Sequence, residues 1–127
     1  MQIKIRTKSR IEIIDITRDV ENLVDNVEEG IALIYTPHTT TAIIVNEAES
    51  GLLEDILDTI QRLVPPAEYK HNRIDNNADA HLRATILGNS AIVPITNGKL
   101  DLGTWQRILF VELDGPRTRK VLVRVVS

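Results

Sequence analysis

The pair Asn97–Gly98 narrows the fold more than any other feature of the chain. It stands between two apolar stretches, Ala91–Ile95 and Leu100–Leu102, the second interrupted by Asp101. Asn-Gly accepts the positive φ angles of a two-residue type I′ turn, whose twist matches that of the flanking strands. The pair therefore sets two strands antiparallel. Two further strand-like runs follow, Gln106–Leu113 and Lys120–Val126, joined at Asp114–Gly115–Pro116. From Ser90 onward the chain reads as antiparallel sheet.

Upstream, Met1–Arg6 alternates apolar and polar residues, and Ile11–Ile16 forms a more apolar strand. Thr17 is the expected cap of a helix carrying Val20, Leu23, Val24 and Val27 on one face, with Gly30 as its stop. Ile31–Tyr35 and Ala42–Val45 are short strands on either side of Thr36–Thr41. Ser50 is the expected cap of the main helix, whose stripe Leu52, Leu53, Ile56, Leu57, Ile60 and Leu63 ends at Pro65–Pro66. Leu82–Leu87 reads as a short helix ending at Gly88. Strands and helices do not alternate regularly, which argues against a doubly wound parallel sheet. The expectation is one α+β domain over residues 1–127, mainly antiparallel, with about eight strands and one main helix.

Composition excludes several classes. The net charge is −3, with no basic block and only Phe110, Trp105, Tyr35 and Tyr69 as aromatics, so nucleic-acid binding is disfavoured. There is no cysteine, hence no disulfide frame, thiolate nucleophile or cysteine-held zinc. The strand pattern at the start is not that of a signal peptide, and no apolar run reaches membrane-spanning length. The chain reads as a cytoplasmic protein.

The chemistry is concentrated in polar interruptions. Three histidines are present: His38 lies in TPHTTT, and His71 and His81 bound the segment HNRIDNNADAH with its Asp75, Asn76, Asn77 and Asp79. Neutral imidazole is a common zinc ligand, and three histidines with an open fourth position is a known catalytic arrangement. The spacing lacks the i, i+4 signature of helical zinc motifs, and on spacing alone three unconnected loop histidines are the favoured reading. Glu47, Asp75 and Glu112 are carboxylates able to orient an imidazole or act as a base. Glu112 interrupts an apolar strand, on the same face as Ile108 and Phe110. If both faces are covered it requires a partner; if not, it is an exposed-face glutamate. Gly103–Thr104–Trp105–Gln106 joins a flexible corner to the only tryptophan, an arrangement open to a ligand or to strand-end packing. Arg117, Arg119 and Lys120 are able to meet a phosphate, or to mark an exposed strand start.

Pro37–His38–Thr39–Thr40, Asn46–Glu47, Tyr69–Lys70–His71, the Asn76–Asn77–Ala78 to His81–Leu82 run, Gly103–Thr104–Trp105–Gln106 and the ending Glu112–Leu113–Asp114–Gly115–Pro116–Arg117 occur in this order over essentially the whole chain. In this the sequence resembles the YjbQ-type family, known as secondary thiamine-phosphate synthases. The resemblance implies a β-sandwich-like α+β fold with a packed main helix and shorter helices, assembled as a homotrimer. It implies a metal, zinc rather than magnesium, held by His38, His71 and His81, with Glu47 and Glu112 in supporting catalytic roles. The implied reaction couples hydroxymethylpyrimidine diphosphate with thiazole phosphate. Thr39, Thr40, Asn46, Asp75, Asn76, Asn77, Gly103, Thr104, Trp105, Gln106 and Arg117 become candidates for binding a phosphorylated substrate, with Trp105 stacking on a heterocycle. Two positions depart from the pattern: Thr41 replaces a small residue, and Asp79 stands where relatives often carry a further histidine. Two other functions remain open: a metal-dependent hydrolase of a phosphorylated or acyl small molecule, and a non-enzymatic trimeric binding protein.

Overall fold

A computed structural model describes all residues from Met1 to Ser127. Its strands are β1 (Gln2–Arg6), β2 (Glu12–Asp15), β3 (Gly30–Tyr35), β4 (Thr41–Asn46), β5 (Ser90–Thr96), β6 (Lys99–Leu100), β7 (Arg107–Glu112) and β8 (Thr118–Val126). The helices are α1 (Thr17–Val24), α2 (Ser50–Leu63) and α3 (Ala78–Leu87), and Lys70–Arg73 forms a 3₁₀ turn. The strands make two antiparallel sheets, one in the order β1-β8-β3-β5-β6 and one in the order β2-β7-β4. The fold is α+β, as the sequence predicts.

The two sheets face each other across the main core. Alternate residues of each strand meet there: Ile3 and Ile5, Ala32 and Ile34, Ile108 and Phe110, Val121 and Val123, with Ile16, Val20 and Val24 closing one side. Strand β7 is central to the smaller sheet and buried on both faces, since Val111 and Leu113 point the other way, onto Ala80 and Ala84 of α3. Two alanines one turn apart, opposite Ala42 of β4, let that helix lie close against the sheet. The turn at Asn97–Gly98 has φ of 53° and 75°, and joins β5 to β6 as its sequence requires.

Several local expectations are corrected. Gly30 does not end α1, which stops at Val24; it opens β3. Thr17 lies inside α1 and gives both its N–H and its hydroxyl to Asp15, at 3.0 and 2.6 Å. Glu49, not Ser50, caps α2, its carboxylate accepting the N–H groups of Gly51 and Leu52 at 2.6 and 2.9 Å. The apolar stripe of α2 is only half covered: Ile60 is buried, Leu63 exposed. Its C-terminal end is held by Arg83, which donates Nε and Nη2 to the Val64 carbonyl at 3.0 and 2.8 Å. A buried guanidinium thereby satisfies one of the carbonyls that a helix end leaves free. Finally, α3 begins at Ala78, so His81 stands on a helix and His71 on the 3₁₀ turn.

Candidate functional site

His38 owes its position to the point where β3 leaves β8. The β3–β8 ladder ends at the pair Tyr35–Leu122, while β8 continues back to Thr118 against β1. Beyond that point the Lys120 N–H has lost its partner strand, and a strand donor left without one is costly. The imidazole of His38 supplies the acceptor: Lys120 N–H donates to His38 Nε2 at 2.9 Å. The base of the loop is pinned by the Thr36 and Thr41 hydroxyls, 2.7 Å apart. A neutral imidazole with one nitrogen accepting carries its proton on the other, so His38 is fixed as the Nδ1–H tautomer.

Charge reinforces this. Burial first, then the positive charge of Arg119, hold the His38 pKa below its ordinary 6.5, against the opposing charge of Glu112. His38 is thus neutral at pH 7. Because its folded-state pKa lies below the unfolded value, its contribution to stability declines as pH drops below about 6.5. An NMR titration of the imidazole nitrogens is expected to place the His38 midpoint below 6.5, whereas a midpoint at or above it contradicts the assigned environment.

Under this loop lies a buried ion pair. Arg119 donates Nε to Glu112 Oε1 at 2.8 Å and Nη2 to Glu112 Oε2 at 2.6 Å, and also Nη2 to the Thr40 hydroxyl at 2.9 Å. Thr7 Oγ1 and the N–H groups of Leu113 and Asp114 complete the carboxylate's shell at 2.8, 3.0 and 3.1 Å. Gly115 passes over the pair so closely that a Cβ there would stand 2.7 Å from Glu112 Cγ. Burial raises the Glu112 pKa, but the bonds from Arg119, Thr7 and Asp114 outweigh it and leave the group below its ordinary value. With both oxygens saturated and no exposed surface, Glu112 has no lone pair to offer a substrate. Of the two roles open to it, orienting partner and general base, this geometry leaves no lone pair for the second, and Thr40, a candidate substrate contact, is turned inward to the same pair.

His81 shares a cleft of about 330 Å³ with His38, Tyr35, Thr39, Thr41 and Thr85, a volume at the lower end of small-molecule sites. His71 packs edge-on against His81, with ring centroids 4.7 Å apart at 77°. The three histidines are therefore neighbours, as their shared motifs imply, but they do not form a three-ligand centre. No three histidine, aspartate or glutamate side chains converge as a metal site, and His38 Nε2 is already an acceptor for Lys120. The residues of one chain do not fit the three-histidine zinc arrangement that the family resemblance implies.

The remaining candidates divide between two places. Asn77 is buried and donates its amide to Asp114 at 2.8 Å; Arg117 donates to the Asp114 carbonyl at 2.9 Å and to its carboxylate at 3.3 Å. Asp79 is paired with Arg10 at 3.2 Å and Arg83 at 3.3 Å. Asn76 lines a cleft of about 290 Å³ with Arg10, Tyr69, Asn72 and Asp79, and Asp75 is exposed beside it. Asn46, Glu47 and Gly103–Gln106 lie elsewhere. Since Thr41 pairs with Glu112 and Asn46 with Arg107, they sit at the opposite end of the β4–β7 ladder, about 17 Å from the Glu112 end. There Gln106 Oε1 accepts the Gly103 N–H at 2.8 Å, and Trp105 stands beside Glu47, Ala48, Glu49 and Arg107 over a cleft of about 350 Å³. Within one chain Trp105 does not reach the histidines. The sequence reading missed the Lys120 N–H and the Arg119–Glu112 pairing. The second was accessible from alternation, because Arg119 shares the inward face with Val121 and Val123.

A family profile described as "UPF0047 protein YjbQ-like" matches residues 1–127. A UPF0047 protein of Archaeoglobus fulgidus is 59% identical, over 99% of this chain and 100% of its own. YugU of Bacillus subtilis, also a UPF0047 protein, is 39% identical over 98% and 97%. Among solved structures, a hypothetical protein of Aeropyrum pernix superposes with a TM-score of 0.96 at 45% identity, covering 100% of this chain and 97% of that one. A protein of unknown function from Sulfolobus solfataricus gives 0.96 at 46% identity, covering 98% and 94%. The whole chain, by sequence and by fold, belongs to the UPF0047 family of YjbQ-like proteins.

Proposed function

We propose that the protein is a cytoplasmic small-molecule transferase of the secondary thiamine-phosphate synthase type, working at the His38–His81 cleft. The observation that carries this reading is the neutral, tautomer-fixed imidazole of His38 lining a cleft of small-molecule size. In the coupling, a C–N bond forms between the pyrimidine methylene and the thiazole nitrogen. The C–O bond to diphosphate breaks, and its electron pair leaves with the diphosphate. A neutral imidazole whose Nδ1 carries a proton is suited to donating a hydrogen bond to that leaving oxygen as charge develops on it. Exposed Lys120 and Arg117 add positive charge on the same end of the molecule. Thr39 and Thr85 provide hydroxyls for polar atoms of the substrate.

No step is routed through a metal. If zinc or magnesium takes part, His71 and His81 are the imidazoles not already committed to a strand N–H. A chain that retains stoichiometric zinc after desalting, and loses it on His38→Ala, would overturn this division of roles. The test of the reaction itself is direct: purified protein given both precursors should release diphosphate and form thiamine phosphate. Absence of product, with and without added divalent metal, overturns the proposal. Hydrolysis of a phosphorylated or acyl small molecule is the second reading, favoured by His81, which lines the same cleft and whose imidazole is not committed to a strand N–H. Release of inorganic phosphate or acid from a substrate panel, without coupling, would select it.

A further inference from the structure

We infer that Asn89 is a specificity-determining residue of the His38–His81 cleft, its side-chain amide reading a heterocycle edge on which a ring nitrogen stands beside an exocyclic amine. The inference rests on the reading of that cleft as the reaction site. The position of Asn89 is set by main chain alone. Helix α3 ends at Leu87, and Gly88, at a φ of 95°, turns the chain toward β5. The Gly88 carbonyl accepts the Ile43 N–H at 3.1 Å, and the Asn89 carbonyl accepts the Thr36 N–H at 2.9 Å. These bonds stitch the segment to β4 and to the end of β3, just past the last β3–β5 pair, Tyr35–Ser90. The loop that carries His38 starts from the same Thr36. Asn89 and His38 are therefore held in one frame, on the wall of one cleft.

Most polar groups of the cleft are already occupied. The Thr36 and Thr41 hydroxyls bond each other, the Thr85 hydroxyl donates to the His81 carbonyl at 2.9 Å, and His38 Nε2 accepts the Lys120 N–H. Asn89 differs. The fold bonds only its main chain, and its exposed side chain keeps the amide N–H groups and oxygen free. No lining residue is a carboxylate, a lysine or an arginine. A phosphate placed there would lose hydration and gain no counter-charge, whereas an uncharged ring with hydrogen-bonding atoms loses little. The charged oxygens of the substrate are thus left to the exposed Lys120, whose N–H holds His38, and the ring takes the Asn89 side. A carboxamide sets an acceptor and a donor side by side in one plane, the complement of a ring nitrogen next to an amine. Asparagine reads the adenine edge in this two-bond way. The aminopyrimidine half of the proposed donor substrate carries the same kind of edge, and Tyr35 and Pro37 offer apolar surface to its faces.

Two probes test this: the hydroxymethyl aminopyrimidine without its diphosphate, and the same molecule without its amino group. Each is titrated into wild type and Asn89→Leu while the amide NMR signals, those of the Asn89 side chain among them, are followed. Wild type is expected to bind the amino probe about tenfold more tightly and to shift the Asn89 side-chain signals, because the second probe leaves the amide oxygen unpaired. In Asn89→Leu, whose main-chain bonds are unchanged, the preference should vanish. Asn89→Ala carries the same expectation if the leucine variant fails to fold. A folded variant that keeps the full preference overturns the inference, as does a wild type that binds neither probe. The titrations need no turnover, so they separate the inference from the reaction. Discriminating binding without any coupling removes the reaction and keeps the role of Asn89; coupling whose preference for the amine survives in Asn89→Leu removes Asn89 and keeps the reaction. Where coupling occurs, Asn89→Leu should raise the KM for the pyrimidine diphosphate several-fold and leave that for the thiazole phosphate unchanged. A loss shared by both substrates would make Asn89 a structural residue only and overturn its assignment.

Discussion

Glu112→Ala is expected to destabilise the fold by about 3–5 kcal/mol, because it strips the partner from a buried guanidinium. Arg119 is 6% exposed and Glu112 not at all, and the remaining neighbour of Arg119, the Thr40 hydroxyl, carries no charge. The shift in urea midpoint at constant slope is the measure. A loss below about 1 kcal/mol, within the range of ordinary surface changes, would mean that the pair is not the closed ion pair described. Removing both charges together, as Glu112→Leu with Arg119→Met, should cost far less than the single change, since no charge is then left buried alone. Acid should act in the same direction. The Glu112 pKa in the folded chain lies below its ordinary 4.5, so its stabilisation is complete above that value and is lost as pH falls through the lower folded-state value.

The second large effect concerns catalysis. His38→Ala should lower the rate of coupling by about 10²- to 10³-fold, the usual cost of removing one positioned hydrogen-bond donor to a developing oxyanion. The control is His38→Gln, whose amide oxygen can still accept the Lys120 N–H while offering no titratable nitrogen. If the glutamine variant falls as far as the alanine one, the imidazole chemistry is what matters. If it keeps wild-type rates, His38 is only a cap for the open end of the β3–β8 ladder. The pH profile gives a separate check: protonation of Nε2 removes the acceptor of the Lys120 N–H and frees the ring from its position, so the rate should decline on the acid side below 6.5, where the lowered His38 pKa lies.

What the sequence discloses and what it hides follow from the range of the interactions. The β5–β6 turn is encoded by two adjacent residues, and strand alternation correctly groups Glu112 with Ile108 and Phe110 on one face. These are period-two signals that need no knowledge of the partner strand. Helix α3 is different. Its contact face is built from Ala80 and Ala84, too small to stand out as a hydrophobic stripe, and its first turn is masked by Asn77 and Asp79. The separation of Trp105 from the histidines is not legible either. Motif order places Gly103–Gln106 and His38 in one chain, but only the antiparallel pairing of β4 with β7 reveals which ends meet. The residues after β4 must lie beside those before β7, and His38, which precedes β4, must lie beside those that follow β7. Likewise the acceptor role of His38 depends on where β3 stops pairing, a tertiary fact.

The bond between the Lys120 N–H and His38 has a consequence for how the protein can vary. The donor is main chain, so nineteen of the twenty amino acids at position 120 supply it equally, and proline alone takes it away. A side-chain scan would therefore report only on the charge that Lys120 carries, while a backbone amide-to-ester exchange at the same residue would release the imidazole. The tautomer on which the proposed chemistry depends is encoded in strand geometry, out of reach of every substitution but proline at the residue that provides it.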